Sequence, residues 1–316
     1  MDPLEHSAAT GFTPFTLPLG GGKQCSGIAC VPASNQEKSQ HALPLIIGIH
    51  GGTCTAAYYD LCPEASAAPV SVATGIPFVS IDRPSYGQTS SILPLGQDQD
   101  FWHETARALH NDILPAVWQH FNSSGNLASI VLDANSFGVP PAIITAALHA
   151  EDPAAKYPLA GMILTGWNVE MNNSAAMDFD ETTKRALPTP KVKELMMLSE
   201  PEYACYTPTV AQQLRQQGDR QNVSVPQAEV GSMPSWFRNG TEYMEKVKIP
   251  TMAAIGDRDW LVRGSSECME AFKRHFVSTP RFDISVVNNA PHALEWSKYS
   301  LGFYLRCFGF ASEIVS

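Results

Sequence analysis

Ser136 closes an apolar run, Ile130-Val131-Leu132-Asp133-Ala134-Asn135-Ser136-Phe137-Gly138. The run reads as a buried strand, then a very tight turn, then a helix opening near Val139-Pro140-Pro141. Such a turn lifts a serine hydroxyl clear of a sheet, where it can act as a nucleophile once a neighbouring base takes its proton. Side chains two places before and two places after the serine would collide across so close a turn, and Ala134 and Gly138 are both small. Downstream, Gly256-Asp257-Arg258-Asp259 and Ala290-Pro291-His292 follow two further apolar runs. Serine, carboxylate and imidazole in that chain order are the parts of a nucleophilic acyl-transfer device: the serine attacks, the imidazole moves the proton, the carboxylate orients the imidazole. By itself Ser136 also reads as a helix N-cap, a role serine favours.

The elements that must hold these groups are readable as well. Leu45–Ile49, Phe78–Ile81, Met162–Leu164, Met252–Ile255 and Ile284–Val287 are short apolar runs without alternation, as expected of strands buried on both faces of a parallel sheet. Helix-like segments separate them, so strand and helix alternate. The clearest helix opens after Asp100 and sets Trp102, Ala106, Leu109, Ile113, Val117 and Phe121 on one stripe, with a kink expected at Pro115. Gly20-Gly21-Gly22, between two extended segments, reads as a hairpin turn rather than a phosphate loop.

Five short motifs at the ends of predicted strands carry a resemblance: His50-Gly51-Gly52, Asp82-Arg83-Pro84-Ser85-Tyr86-Gly87, the Ser136 turn, Gly256-Asp257-Arg258-Asp259 and Ala290-Pro291-His292. Over most of its length the chain resembles the serine-type α/β-hydrolases, which share the order Ser…Asp…His. The resemblance implies a mostly parallel eight-stranded sheet with helices on both faces, plus a largely helical cap insertion. It departs from the family at Ala134, where glycine is usual, and at Asn135, where many relatives carry histidine.

On that resemblance Ser136 is the nucleophile and His292 the base. The usual Gly-x-x-Asp spacing selects Asp259 as the orienting acid. Asp257, which would otherwise cap the turn or pair with Arg258, stays open as an alternative, and Glu170 is a third. An oxyanion hole needs fixed backbone donors. Phe137, just after the nucleophile, supplies one N–H; Gly52 or Thr53 supplies the other. His50 is expected to brace that loop.

Between the strand ending near Gly166 and the one beginning near Thr251 lie about 80 residues, where a helical crossover needs only ~10–20. Residues 168–246 are therefore expected to form a cap, with residues 1–167 and 247–316 as the core. Helices are expected at Pro190–Leu198 and Thr209–Gln216. The insertion is rich in methionine and aromatic residues, which either hold it together or line an adaptable apolar pocket. Trp167, Met171, Met196, Trp236 and Phe237 are the candidate lining residues.

Composition narrows the function classes. The net charge of −10, with no basic run, argues against a nucleic-acid partner. No stretch reaches the roughly 20 apolar residues of a membrane span. The first residues lack a secretory pattern, so the sequons at Asn122, Asn172, Asn222 and Asn239 are read as chance. Seven cysteines without regular spacing suit a reducing compartment, and a cytoplasmic location is expected. No dinucleotide fingerprint or zinc-ligand spacing occurs, so no cofactor and no metal are expected. The expected partner is a medium-sized, mostly apolar small molecule. The expected reaction is hydrolysis of a carboxylic ester, lactone or related acyl bond through an acyl-enzyme. The same residues can also serve a lyase, a cyclase or acyl transfer in a specialised-metabolite pathway, or a receptor-like binding protein.

Overall fold

The computed structural model describes residues 11–33, 43–172, 177–188, 204–216 and 222–315. Eight strands form the main sheet: β1 (Thr13–Pro18), β2 (Gln24–Cys30), β3 (Leu43–Ile49), β4 (Phe78–Ile81), β5 (Leu127–Asn135), β6 (Leu159–Thr165), β7 (Thr251–Gly256) and β8 (Phe282–Val287). Their spatial order is β1-β2-β4-β3-β5-β6-β7-β8. The glycine turn Gly20–Gly22 joins β1 to β2 as an antiparallel hairpin, β2 runs antiparallel to β4, and every other pairing is parallel.

The apolar runs lack alternation because both faces are covered. Leu45, Ile47, Ile49, Ile130 and Leu132 enter one core; Ile46, Val131 and Phe78 enter the other. Period-two geometry sends successive side chains to opposite faces, and each buried Val, Leu or Ile contributes about 1.5–3 kcal/mol. The first face is covered by α2 (Phe101–Ala108), α3 (Leu114–Phe121), α4 (Val139–Glu151) and α7 (Ser266–Lys273), the second by α1 (Ala68–Thr74) and α8 (Ser300–Glu313). Asp100 caps α2, its carboxylate accepting the Trp102 and His103 N–H groups. The kink expected at Pro115 takes the form of a π-helical turn, Leu109–Ile113, just before it. Proline lacks the N–H that would reach back to the preceding turn.

Residues 168–246 hold two described helices, α5 (Pro208–Gln216) and α6 (Gln227–Met244). They also hold a three-stranded antiparallel sheet from Met177–Asp180, Arg185–Pro188 and Val225–Pro226, which the sequence reading did not anticipate. The helix expected at Pro190–Leu198, and Met196 with it, lie outside the described residues. Helix α6 packs on α4 and α2. Among the described residues no helix is long and apolar enough to cross a membrane.

Candidate active site

Parallel strands deliver their following loops to one end of the sheet, and the candidate groups gather there. Ser136 follows β5 with φ +51°, a left-handed conformation that costs a non-glycine residue about 1–2 kcal/mol. A short 3-10 turn, Ser136–Gly138, then feeds α4. Any side chain at position 138 would strike the carbonyls of Ile49 and His50, which is why glycine stands there. Ala134 packs fully buried beside Ile49 of β3, so its extra methyl is accommodated.

The glycine loop after β3 lies against this turn. A Cβ on Gly51 would fall 3.0 Å from Ser136 Cβ, and one on Gly52 would fall 2.9 Å from the Phe137 ring. His50 is fully buried and bridges within the loop: its Nδ1–H donates to Gly51 O (2.8 Å), and its Nε2 accepts the Arg83 N–H (3.1 Å). Burial, then the adjacent Arg83 cation, holds the His50 pKa well below its usual value, so the ring is neutral.

His292 follows β8, and its Nδ1–H donates to Asp259 Oδ2 at 2.8 Å. The other Asp259 oxygen accepts the N–H groups of Leu261 (2.8 Å) and Val262 (2.9 Å), which fixes the carboxylate in place. Asp257 instead accepts the Ala290 N–H at 3.3 Å, and Glu170 pairs with Arg263 at 3.1 Å. Burial lowers the His292 pKa, but Asp259 and then Glu295 outweigh it, so the value stands above 6.5. Gly166 ties the imidazole to the serine turn: a Cβ there would lie 2.9 Å from His292 Cε1 and 3.2 Å from Asn135 Nδ2.

No family model matches the chain, and no curated protein matches it in sequence. Solved structures do match. A highly thermostable carboxyl esterase from Bacillus coagulans aligns with TM-score 0.66 at 16% identity, over 97% of this chain and 99% of that one. A thermophilic esterase from Thermogutta terrifontis aligns with TM-score 0.57 at 17% identity, over 96% of this chain and 100% of that one. The esterase domain of a Rhodothermus marinus protein gives TM-score 0.56 at 13% identity, over 96% and 99%. The chain has the α/β-hydrolase fold.

Within this α/β-hydrolase fold, the candidate lining residues divide. Trp167 and Trp236 each meet Trp102 edge-on, at 5.9 and 6.2 Å between centroids, and Trp167 also meets Phe137 at 6.1 Å. Phe237, 44% exposed, stacks on Trp167 at 6.1 Å. Trp102 and Trp167 therefore flank Phe137, the residue after the serine, with Trp236 and Phe237 packed against them in turn. Met171 instead bridges Val262 in the acid-bearing loop. Trp102 belongs to the same aromatic group, although its helical stripe marked it only as a core residue.

Two buried acids escaped the sequence reading. Glu295, three residues after His292, accepts Thr165 Oγ1–H (2.7 Å) and Tyr58 O–H (2.6 Å), while Asn135 Nδ2 donates to Thr165 Oγ1 (3.0 Å). The chain thus runs from the residue beside Ser136 to the loop behind His292. Glu229 on α6 accepts from Arg83, Tyr86 and Trp102. Neither has a local signal, since each is a single glutamate whose partners are distant in sequence. Asp133 is also fully buried, with no hydrogen-bond partner for either carboxylate oxygen among the described residues. Burial, then Glu295, pushes its pKa well above the usual carboxylate range.

Proposed function

We propose that this chain is a serine hydrolase that cleaves a carboxylic ester, lactone or related acyl bond of a medium-sized, mostly apolar small molecule. The observation that carries the reading is the Asp259–His292 hydrogen bond of 2.8 Å, at the sheet end that also bears Ser136 on its left-handed turn. With Nδ1–H committed to Asp259, His292 Nε2 is the nitrogen that takes the Ser136 proton as Oγ attacks the acyl carbon. The carbonyl oxygen takes up negative charge and is met by the N–H of Phe137 and that of Gly52, with Thr53 as the alternative donor. His292 returns its proton to the departing alcohol, leaving an acyl group on Ser136. Water repeats the sequence and frees the acid.

Residues 168–246 would act as the cap, and the aromatic group of Trp102, Trp167, Trp236 and Phe237, which adjoins Phe137 through the first two, suits an apolar acyl or alcohol moiety. The solved structures of esterases that share the fold favour the same reaction class. The test is labelling with a fluorophosphonate probe followed by peptide mapping. A single adduct on Ser136 that disappears in His292→Ala is expected. A folded protein that takes no adduct, or that hydrolyses esters as fast after Ser136→Ala, would overturn the assignment.

A further inference from the structure

Arg83 lies wholly inside the protein with its charge, and stability alone gives little reason for that. A buried ion pair generally contributes no more than apolar residues of the same volume, because desolvation cancels the attraction. What the cation touches is therefore informative. One arm of its guanidinium pairs with Glu229; the other, Nη2, donates to Gly51 O at 3.1 Å. The arm facing Glu229 also lies 3.5 Å from Phe137 O. Two carbonyls of the loops flanking Ser136 thus face one cation.

The Gly51 carbonyl and the Gly52 N–H are opposite ends of one planar peptide unit. A hydrogen bond accepted at the oxygen polarises the unit and strengthens the N–H as a donor. Gly51 O accepts two, from His50 Nδ1–H (2.8 Å) and from Arg83 Nη2–H (3.1 Å). We propose that Arg83 is a positioning residue that polarises the Gly51–Gly52 peptide for oxyanion binding, and that Glu229 of the inserted segment holds it in that role. The inference rests on the serine-hydrolase reading above.

Glu229 is suited to this task. It is fully buried in the first turn of α6 and accepts from Arg83, from Tyr86 O–H and from Trp102 Nε1–H (3.2 Å), while the Tyr86 ring lies 4.6 Å from the guanidinium carbon. A second strand of contact runs the same way, since the Val223 N–H of the insertion donates to Thr53 O at 2.8 Å. The insertion thereby reaches the oxyanion loop through its backbone as well as through a charge.

The test separates a catalytic effect from a merely structural lock. Arg83→Met, Glu229→Gln and the double variant are compared by melting temperature and by kcat and KM on p-nitrophenyl butyrate. Each single change strands a partner and should lower the melting temperature. The double variant leaves no unpaired charge and should melt within a few degrees of the native chain. If the proposal holds, its kcat stays down by about 10- to 100-fold with KM within about threefold, less than the 10²–10³-fold typical of deleting a direct oxyanion donor, because His50 still serves Gly51. Recovery of both melting temperature and kcat would overturn it. Should the methionine variants fail to fold, Arg83→Lys keeps the charge without the fork. A kcat reduced by about 10-fold then supports the proposal, and native kcat overturns it. Ser136→Ala on the same ester separates the two readings: turnover surviving that change sinks the hydrolase reading itself, whereas its loss beside a fully active double variant sinks only the role of Arg83.

Discussion

Gly166→Ala probes the placement of the imidazole with a single methyl. Gly166 follows β6 at φ +61°, and the added Cβ would stand 2.9 Å from His292 Cε1, 3.1 Å from His292 O and 3.2 Å from Asn135 Nδ2. Carbon atoms pack best at about 3.5–4.0 Å, so the ring must retreat by roughly 0.6–1.1 Å. A displacement on the order of 1 Å in a reacting group costs about 10²-fold, which sets the expected fall in kcat. The left-handed backbone adds a stability cost of about 1–2 kcal/mol. Gly75 supplies the control: it ends α1 at φ +75° with nothing within 4 Å of its added Cβ. Gly75→Ala should carry the same backbone cost with kcat unchanged. Both variants are measured for kcat and KM on p-nitrophenyl butyrate and for melting temperature. Equal kcat in the two variants, at comparable loss of stability, would refute the claim that Gly166 leaves room for a working His292.

Three further predictions concern the acids and the imidazole. Asp259→Asn should lower kcat by about 10³–10⁴-fold, the scale set by losing the acid that holds a catalytic imidazole, while Asp257→Asn stays within a few-fold; the reverse ranking of kcat would transfer the role to Asp257. Because the base must be neutral and its pKa stands above 6.5, kcat/KM should fall as pH drops through that raised value, and residual activity in Asp259→Asn should persist to lower pH. Asp133 has a folded pKa above its unfolded value, so its carboxyl binds more protons folded than unfolded and stability declines as pH rises through that window, by up to about 1.4 kcal/mol per pH unit. The melting temperature of Asp133→Asn relative to the native chain should therefore climb between acidic and alkaline pH; a constant difference would mean that folding leaves the Asp133 pKa unchanged.

The legible parts of this protein were those written locally. Strands such as Leu45–Ile49 announce themselves because both faces are buried, so the run is apolar without alternation. The serine turn is legible as a short motif, although the crowding that requires Gly138 comes from Ile49 and His50 at the end of the neighbouring strand. Selecting Asp259 over Asp257 needed the resemblance, because both follow the same strand and only the three-residue spacing separates them. Glu229 shows the opposite case. Its meaning lies in Arg83, 146 residues away, and in the sequence it is one more acid on an amphipathic helix. Asp133 inside an apolar strand was visible as a residue and silent as a partner, because burial without pairing leaves no pattern. The small sheet of the insertion escaped for a related reason: its strands are at most four residues long, too short for alternation to be read.

Residues 168–246 are tied to the loops of the candidate site through Asn172, Val223 and Glu229. Asn172 donates from its side chain to the carbonyls of Asp259 and Val262, each at 3.1 Å, and Glu229 grips Arg83. Between these fastenings run residues 173–228. The entropy of closing a chain segment grows only with the logarithm of its length, about 0.6 kcal/mol per doubling for a flexible loop. This span is itself anchored, by the Val223 N–H on Thr53 O and by Val210, Ala211 and Leu214 of α5 in the core, so a change of length is cheap only where it leaves these anchors in place. For protein engineering this divides the chain into a part where length is negotiable and a part where it is not. On the proposed reading, segments grafted between these anchors would change what the protein accepts, whereas a graft that removes an anchor would change how well it reacts.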